Sequence, residues 1–357
     1  MTVLFDELPT NDNHLIGIIT LNSPHNLNAL SYPMALAMYQ QLIAWENNPK
    51  VVCVLLRSSL PKAFCAGGDI KQIVESCRKH PGKPDLLAEQ FFGQEYKLDN
   101  YLHHYAKPII GWGEGYVLGG GMGLLQACQI RIVTPSSKLA MPEMMIGLFP
   151  DVGAAWFLTR IPQKLGLFLA LTASQVNAND ALAIGWADRF MINSQQAQLL
   201  EGLQLINWQQ EGEQALQQLL KQLEQQALSE LPEMVWQKRL TTIRDILDQP
   251  DLPAICNKIQ TFQQSNDSFL QKAAQNLAKG CPMTAWLIWE QFKCFARCSI
   301  AEVLAMDYTI AQHCCMNADF LEGVRALLID KDNQPQWSYK TVADVPYEEV
   351  IWHFQLC

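Results

Sequence analysis

The sequence contains few charged residues and no long apolar run. Charged side chains make up 17% of its 357 residues, whereas 49% are hydrophobic. No apolar stretch approaches the ~20 residues that a membrane-spanning helix needs, so we expect no membrane association. The composition indicates a globular chain with room for two or three domains and a large core.

Positive charge is also scarce. The chain has 26 Lys and Arg residues against 35 Asp and Glu residues, which gives a net charge of -9. This balance argues against nucleic acid and anionic membrane surfaces as general partners. A small anionic substrate can still bind where a few Lys and Arg residues cluster.

Signature motifs of several common enzyme classes are missing. No G-x-G-x-x-G spacing fits residues 111–123, and no G-x-x-x-x-G-K-[ST] is present, so dinucleotide-binding and P-loop functions lack their motif. No G-x-S-x-G elbow offers a serine nucleophile. The eleven cysteines include no C-x-x-C and no matching His spacing, so we expect free buried thiols and no bound metal.

The N-terminal segment lacks the features of a targeting sequence. Residues 1–14 contain no Lys or Arg, include acidic residues and have no apolar core of the length found in signal peptides. Together with the free thiols, this composition predicts a cytoplasmic protein.

The first half of the chain alternates strand and helix patterns. Strands are predicted at Leu15–Leu21, 51–56, 108–117 and Ile130–Val133, and helices at Tyr32–Glu46 and about 86–104. This alternation predicts an α/β fold with a largely parallel sheet. Beyond residue 194 the sequence becomes Gln-rich with a helical Leu stripe, and a last helical block covers 284–328. We therefore expect a binding and catalytic core at 1–194, a helical Gln-rich segment at 195–280, and a helical region at 281–357 that completes the core.

Two glycine-rich turns are the most informative feature of the sequence. Gly67 and Gly68 follow one strand-like run, Gly119 and Gly120 follow another, and a helical run follows each turn. Such turns can direct two backbone N–H groups at one oxygen, as in an oxyanion hole. A single glycine cluster more often serves a tight turn, but the pair favours the functional interpretation. Cys65, beside the first turn, has no visible His partner and is interpreted as a small buried filler.

Two carboxylates stand in nearly uncharged, apolar sequence. Burial would raise the pKa of Glu143 and Asp151 and suit them to acid, base or nucleophilic roles. Structural roles are also open, because Glu143 follows Pro142 and can begin a helix, while Asp151 can cap one. By default, Glu95 is expected on the solvated face of a helix.

Histidine and lysine residues give weaker signals. The pair His103 and His104 has no spacing typical of a metal site, so a core or surface position is expected. Lys331 lies in a charged run and is expected at the surface.

These elements resemble the crotonase (enoyl-CoA hydratase/isomerase) superfamily. The similar segments are residues 21–30, residues 63–71 with the sequence AFCAGGDIK, and the glycines at 119–121. Within the superfamily, residues 140–153 and 319–337 resemble the branch that hydrolyses 3-hydroxyisobutyryl-CoA in valine catabolism. The resemblance covers about 15–190 and 299–337, and the Gln-rich middle shows no such motif.

The resemblance implies a fold and a set of site residues. The fold is a crotonase-like spiral of ββα units with a helical C-terminal region. The N–H groups of Gly68 and Gly120 would bind the thioester carbonyl of an acyl-CoA. The implied substrate-binding residues are Ala66, Gly67, Asp69 and Ile70 at the adenine end of CoA, and Glu95, Glu143 and Asp151 around the acyl group.

One departure from the family pattern selects the reaction. Hydratases of this fold carry a glutamate two residues after the last glycine of the triplet, and this chain has Gly123 there. Addition of water to a double bond therefore lacks half of its acid–base pair, and the resemblance implies thioester hydrolysis. Glu143 would attack the thioester to form a mixed anhydride or would act as a general base on water. Asp151 would bind the 3-hydroxyl group or assist proton transfer, and Glu95 would shape the polar end of the pocket.

The resemblance also bears on ligands and on alternatives. CoA is part of the substrate, so no cofactor is expected, and homo-oligomerisation is left open. Relatives place basic residues around the Leu-Asn-x-Pro turn, which begins here at Leu21, but this chain has Ser23 and His25 there. Other Lys or Arg residues, with Lys71 and Lys331 as candidates, must therefore bind the CoA phosphates. The alternatives are an enoyl-CoA hydratase or isomerase that uses Glu143 alone, and a non-catalytic scaffold of the same fold.

Overall fold

The computed structural model describes residues 2–355. Residue 1 of the predicted segment 1–194 and residues 356 and 357 of the predicted segment 281–357 lie outside the described residues. The chain forms two compact units, one of residues 1–68, 97–139 and 176–234, and the other of residues 69–96, 140–175 and 235–357. The strands are β1 (Val3–Pro9), β2 (Leu15–Leu21), β3 (Val51–Ser58), β4 (Ala63–Cys65), β5 (Ile109–Gly113), β6 (Tyr116–Leu118), β7 (Ile130–Val133), β8 (Lys138–Ala140) and β9 (Arg189–Phe190).

Helices account for the remaining regular structure. They are α1 (Tyr32–Glu46), α2 (Lys71–Cys77), α3 (Leu86–His103), α4 (Gly120–Gln126), α5 (Ala154–Thr159), α6 (Leu165–Thr172), α7 (Ala178–Ala183), α8 (Gln195–Leu205), α9 (Trp208–Ala227), α10 (Leu240–Leu247), α11 (Leu252–Gln260), α12 (Ser268–Lys279), α13 (Pro282–Cys294), α14 (Ile300–Met316), α15 (Ala318–Val324) and α16 (Tyr347–Trp352). Short 3-10 turns include Glu143–Met145. Among the described residues, no helix combines the length and the apolar character that crossing a membrane requires.

The first unit is built on two sheets. A six-stranded sheet has the order β1-β2-β3-β5-β7-β9, and a three-stranded sheet has the order β4-β6-β8. In the larger sheet only the β1–β2 pair is antiparallel, and the other pairs run parallel. The run VVCVLLRS forms β3 because a strand covered on both faces takes a continuous apolar sequence rather than an alternating one.

The first two helices of the Gln-rich segment, α8 and α9, pack on this sheet. Leu199 and Leu203 of α8 and Leu216, Leu220 and Leu223 of α9 are buried in one cluster with side chains of β2, β3, β5 and β7. The Leu stripe therefore faces the sheet, while the glutamines of α9 are exposed on its outer side.

The second unit is mainly helical. Helix α6 has the sequence LGLFLALT, and all eight of its residues are buried. It contacts α5, α10, α12 and α13, which explains why a helix that is apolar all round occurs in the centre of this unit. The helices α13–α16 confirm the predicted helical character of the C-terminal region.

Most predicted elements have the expected bounds, and one does not. The strand Leu15–Leu21, the helix Tyr32–Glu46 and the strand Ile130–Val133 occur as predicted. The single strand predicted at 108–117 is wrong, because the chain turns between β5 and β6. Gly115 has a φ of 69°, and a Cβ atom there would lie 2.3 Å from the Lys62 carbonyl oxygen, so a continuous strand cannot form at this point.

Candidate active site

The two glycine turns lie side by side in the first unit. Strands β4 and β6 are parallel neighbours, with Cys65 opposite Val117, and each strand ends just before one of the turns. A Cβ atom on Gly121 would lie 2.3 Å from the Cys65 carbonyl oxygen, so the start of α4 rests directly on the end of β4. The structure therefore brings the two turns together.

Two backbone N–H groups in these turns are available to a ligand. Gly120 is the first residue of α4, where an N–H group has no intrahelical acceptor. The N–H of Leu30 donates to the Gly67 carbonyl oxygen at 2.8 Å, which fixes the first turn. Within residues 2–355, no backbone acceptor is bonded to the N–H of Gly68 or of Gly120. Their role as donors to a bound oxygen stays a prediction.

The residues around the first turn differ in exposure. Cys65 is fully buried, which agrees with its interpretation as a filler. Ala66, Gly67 and Asp69 are half-buried and Ile70 is buried. Their contact with CoA stays a prediction.

A cluster of buried carboxyl groups lies in the second unit. Glu143 and Asp151 are each 4% exposed, Glu95 is 2% exposed, and Asp307 on α14 is completely buried. The predicted burial of Glu143 and Asp151 is confirmed. The default position of Glu95 on a solvated helix face is wrong, because this part of α3 packs inside the unit.

Glu143 has one carboxylate oxygen without a protein partner. It is the first residue of the turn Glu143–Met145. Its Oε2 atom is buried and makes no hydrogen bond to any described residue. Burial, and after it the negative charge of Asp151, raise the pKa of Glu143 well above its usual range. The two carboxyl groups are thus close enough to interact electrostatically, and a catalytic role of Oε2 stays a prediction.

Asp151 is held by a tyrosine. The hydroxyl group of Tyr96 donates to Asp151 Oδ2 at 2.6 Å, and both side chains are buried. Burial raises the pKa of Asp151 to about 6, although the Tyr96 hydrogen bond opposes this rise. The alternative role of Asp151 as a helix cap is wrong, because α5 has Gly153 as its N-cap and no side-chain capping bond.

The backbone next to Asp151 is strained. Val152 has a φ of 51°, and Gly153 has a φ of 78°. A β-branched residue with positive φ is a rare outlier that costs about 1–3 kcal/mol, and such strain concentrates at functional sites. The surrounding structure must therefore hold this loop in place.

The turn that carries Glu143 rests on α15. Gly147 has a φ of 70°, and a Cβ atom there would lie 2.4 Å from the Asp319 carbonyl oxygen. A Cβ atom on Gly323 would lie 2.3 Å from the backbone of Ile146. These close approaches require glycine at both positions. The segment 319–332, which carried part of the family resemblance, therefore serves to support the turn.

Other predicted residues lie outside these clusters. Lys71 and Lys331 are exposed, and their contact with CoA phosphates stays a prediction. His103 is half-buried and His104 is exposed. In the described part of the chain, no group of His, Cys, Asp and Glu side chains is arranged to hold a metal ion. Gly123 is buried within α4.

Sequence reasoning missed Tyr96 and Asp307. Tyr96 follows Glu95 in the chain and could have been noticed only as its neighbour. Asp307 gave a stronger signal. Val303 and Ile310 are apolar positions at helical spacing on the buried face of α14, and Asp307 is the one acid on that face.

The buried carboxyl groups of the second unit are typical of an enzyme. The raised pKa values of Glu143 and Asp151 suit acid–base or nucleophilic catalysis. The sequence pattern of the enoyl-CoA hydratase/isomerase family matches residues 16–354, and the chain belongs to this family. The predicted resemblance is confirmed, and it extends through the Gln-rich segment, where the sequence showed no recognisable motif.

Similar curated proteins share one name. The 3-hydroxyisobutyryl-CoA hydrolase, mitochondrial, of Danio rerio is 38% identical over 92% of this chain and 84% of its own length. The protein of the same name from Homo sapiens is 34% identical over 95% of this chain and 86% of its own length.

Similar solved structures confirm the predicted fold class. A carnitinyl-CoA dehydratase from Mycobacterium thermoresistibile is 28% identical, with a TM-score of 0.86 over 100% of this chain and 97% of its own. An enoyl-CoA hydratase from Rhodobacter sphaeroides is also 28% identical, with a TM-score of 0.83 over 99% of this chain and 97% of its own. The α/β crotonase-like fold with a helical C-terminal region is thereby established.

Proposed function

We propose that this chain hydrolyses the thioester of 3-hydroxyisobutyryl-CoA to 3-hydroxyisobutyrate and CoA, a step of valine catabolism. The names of the similar curated proteins support this reaction. The observation that carries the proposal is Glu143, whose buried Oε2 atom has no protein partner among the described residues. Gly123, which stands where the family pattern places a hydratase glutamate, favours hydrolysis over hydration.

The proposed role of the glycine turns is electrostatic. Attack on a thioester moves negative charge onto its carbonyl oxygen. The N–H groups of Gly68 and Gly120 are proposed to donate to that oxygen as it becomes an oxyanion. Removal of one such donor in other enzymes costs about 3–4 kcal/mol of transition-state stabilisation.

Glu143 is proposed to act in ionised form. As a nucleophile, its carboxylate oxygen bonds to the thioester carbon, the C–S bond breaks, and the thiolate of CoA leaves and takes up a proton. Water then opens the mixed anhydride, which releases the hydroxy acid and restores Glu143. As a general base, Glu143 instead removes a proton from the attacking water and gives the same products. Its raised pKa makes the ionised carboxylate a stronger base and nucleophile than an exposed one.

Asp151 is proposed to recognise the substrate hydroxyl group. Because Tyr96 occupies Oδ2, the other carboxylate oxygen can accept a hydrogen bond from the 3-hydroxyl. A site built to bind a hydroxyl group discriminates strongly against analogues that lack it. Glu95 is proposed to shape the polar end of the acyl pocket, and residues 66–70 are proposed to contact the adenine of CoA.

Release of free CoA tests the reaction and the role of Glu143. With the purified protein and 3-hydroxyisobutyryl-CoA, a thiol reagent should report steady turnover. Glu143→Gln should lower kcat by at least roughly 100-fold, as for loss of an acid–base or nucleophilic group. The control is Glu290→Gln, because Glu290 is equally buried but paired with Lys293 on α13. Near wild-type turnover by Glu143→Gln would show that the assignment is wrong.

Compartment and assembly stay predictions. The sequence predicts the cytoplasm, whereas the names of the curated relatives place those proteins in mitochondria. Cell fractionation with an antibody to the chain decides between the two compartments. Sedimentation of the purified protein reports whether it forms a homo-oligomer.

A further inference from the structure

The loop that carries Asp151 is anchored at both ends by the C-terminal helices. The side-chain amide of Gln291 on α13 donates to the Pro150 carbonyl oxygen at 3.0 Å. The N–H of Gly153 donates to Asp307 Oδ2 on α14 at 2.8 Å. These two bonds enclose Asp151 and the strained Val152.

The loop needs these anchors because its own conformation is unfavourable. Val152 and Gly153 both have positive φ values, and Val152 is β-branched. Gly153 also lies against α14, since a Cβ atom there would be 2.5 Å from Ile300 Cδ1. Released from α14, the chain would relax toward ordinary φ values, and the Asp151 side chain would turn away from Tyr96.

Asp307 is an unusual residue for its surroundings. It is completely buried on a helix whose other buried residues are mostly apolar. A buried carboxyl group is unfavourable unless it makes hydrogen bonds that the structure needs. The hydrogen-bond partner of Asp307, the Gly153 N–H, is two residues from Asp151. The Asp307 side chain itself lies close enough to Asp151 and Tyr96 to interact with them electrostatically.

We propose that Asp307 is a positioning residue for the active site. Through the Gly153 N–H it holds the loop 150–153, so that Asp151 keeps its bond to Tyr96 and presents its other carboxylate oxygen to the substrate hydroxyl. Gln291 supports the same loop from Pro150. The inference rests on the proposed function, because it assigns Asp151 the recognition of that hydroxyl.

The test compares two substrates. Isobutyryl-CoA lacks the 3-hydroxyl group but keeps the thioester and the branched chain. The wild-type protein should prefer 3-hydroxyisobutyryl-CoA in kcat/KM. Asp307→Ala should lower this preference by roughly 10- to 100-fold, because the substrate hydroxyl would lose its hydrogen bond to the charged Asp151 carboxylate. Asp307→Asn should restore most of it, because the amide oxygen can still accept from Gly153.

A matched control lies on the same helix. Gln312 is 7% exposed, and within residues 2–355 its side-chain amide has no hydrogen-bond partner. Gln312→Met should leave the substrate preference unchanged. If Asp307→Ala slows both substrates by the same factor, a positioning role toward the hydroxyl is excluded.

Hydrogen exchange separates this inference from the proposed function. The Gly153 amide should be protected in the wild type and in Asp307→Asn, and should exchange at least roughly 10-fold faster in Asp307→Ala. Equal protection in all three proteins overturns the anchor, whether or not the wild type hydrolyses either thioester. If Asp307→Ala does not fold, Gln291→Met removes the other anchor and should reduce the same preference.

Discussion

The Tyr96 hydroxyl donates to Asp151 Oδ2 at 2.6 Å, in the interior of the second unit. Burial and the negative charges of Asp151 and Asp307 raise the pKa of Tyr96 well above its usual range, so the phenol stays a donor. For Asp151, burial raises the pKa and the Tyr96 bond lowers it, and the balance lies at about 6. The tyrosine therefore sets the pH range in which Asp151 is ionised.

Replacing Tyr96 by Phe should shift the pH dependence of hydrolysis. Without the hydroxyl group, the pKa of Asp151 should rise above 6, because the ionised carboxylate loses a hydrogen bond worth about 1.5 kcal/mol, or about one pH unit. The acidic limb of the kcat/KM profile, which reports Glu143 and Asp151 together, should move to higher pH by about that amount.

The control for this variant is Tyr339→Phe. The Tyr339 hydroxyl also donates to a carboxylate, Glu349 Oε1, at 2.6 Å, but this pair is exposed. Its removal should leave the profile unchanged. Superimposable profiles for the wild type and Tyr96→Phe would mean that the tyrosine does not set the ionisation of Asp151.

Asp151→Asn should stabilise the folded protein at alkaline pH. The unfolded carboxyl group titrates near 3.8 and the folded one near 6, so between these values the folded state binds more protons. The free energy of unfolding of the wild type therefore falls as pH rises through this window, by up to about 3 kcal/mol, and stays lower above it. The asparagine variant does not titrate and avoids this loss. Denaturant unfolding should show it to be more stable at about pH 8, with no difference at about pH 3.5.

Asp267→Asn provides a control in which the free energy of unfolding should change in the opposite direction. Although burial opposes it, the hydrogen bond from Arg239 lowers the pKa of Asp267. Its replacement should therefore destabilise the protein at neutral pH, and the deficit should shrink as pH falls from the unfolded value of 3.8 through the lowered pKa of the folded state. If Asp151→Asn gives the same direction of change, burial does not dominate the titration of Asp151.

The sequence predicted the elements that depend on local pattern. Helix α1 and strand β2 have their predicted bounds because their apolar runs end at clear turn signals. The break between β5 and β6 was missed, since the close approach of Gly115 to Lys62 joins positions that are distant in the chain. A glycine in a sequence does not indicate which distant backbone segment it will contact in the fold.

The site was predicted only in part for a similar reason. Glu143 and Asp151 could be chosen because each carboxylate interrupts an apolar sequence. Tyr96 and Asp307 gain their roles from partners that lie far from them in the chain, and no local pattern shows those bonds. Glu95 is expected at the surface because an acidic helix residue is solvated by default, but tertiary packing buries it.

Incubation with crotonyl-CoA should give almost no hydration. Position 123 is a buried glycine in α4, so the second carboxylate of a hydratase is missing there. Loss of one acid–base group lowers rates by about 100-fold or more, so loss of the enoyl absorbance should be at least that much slower than thiol release from the hydroxyacyl substrate. Similar rates for the two reactions would favour the hydratase or isomerase function over the hydrolase.

Gly147→Ala should destabilise the second unit and impair catalysis. Both the positive φ of 70° and the 2.4 Å approach of a Cβ atom to the Asp319 carbonyl oxygen oppose a side chain at this position. Together they should lower the free energy of unfolding by about 2–4 kcal/mol. The turn that carries Glu143 would shift as the backbone relaxes, so kcat for thioester hydrolysis should fall as well.

Gly82→Ala separates the two causes within the same unit. Gly82 has a φ of 73°, but a Cβ atom there would meet no atom within 4 Å. Its replacement should therefore carry only the backbone penalty, about 1–2 kcal/mol, and should leave kcat unchanged. Equal unfolding midpoints for the two variants would show that the contact between Gly147 and α15 contributes nothing. A larger loss for Gly147→Ala, accompanied by reduced kcat, would tie the 319–332 segment to the placement of Glu143.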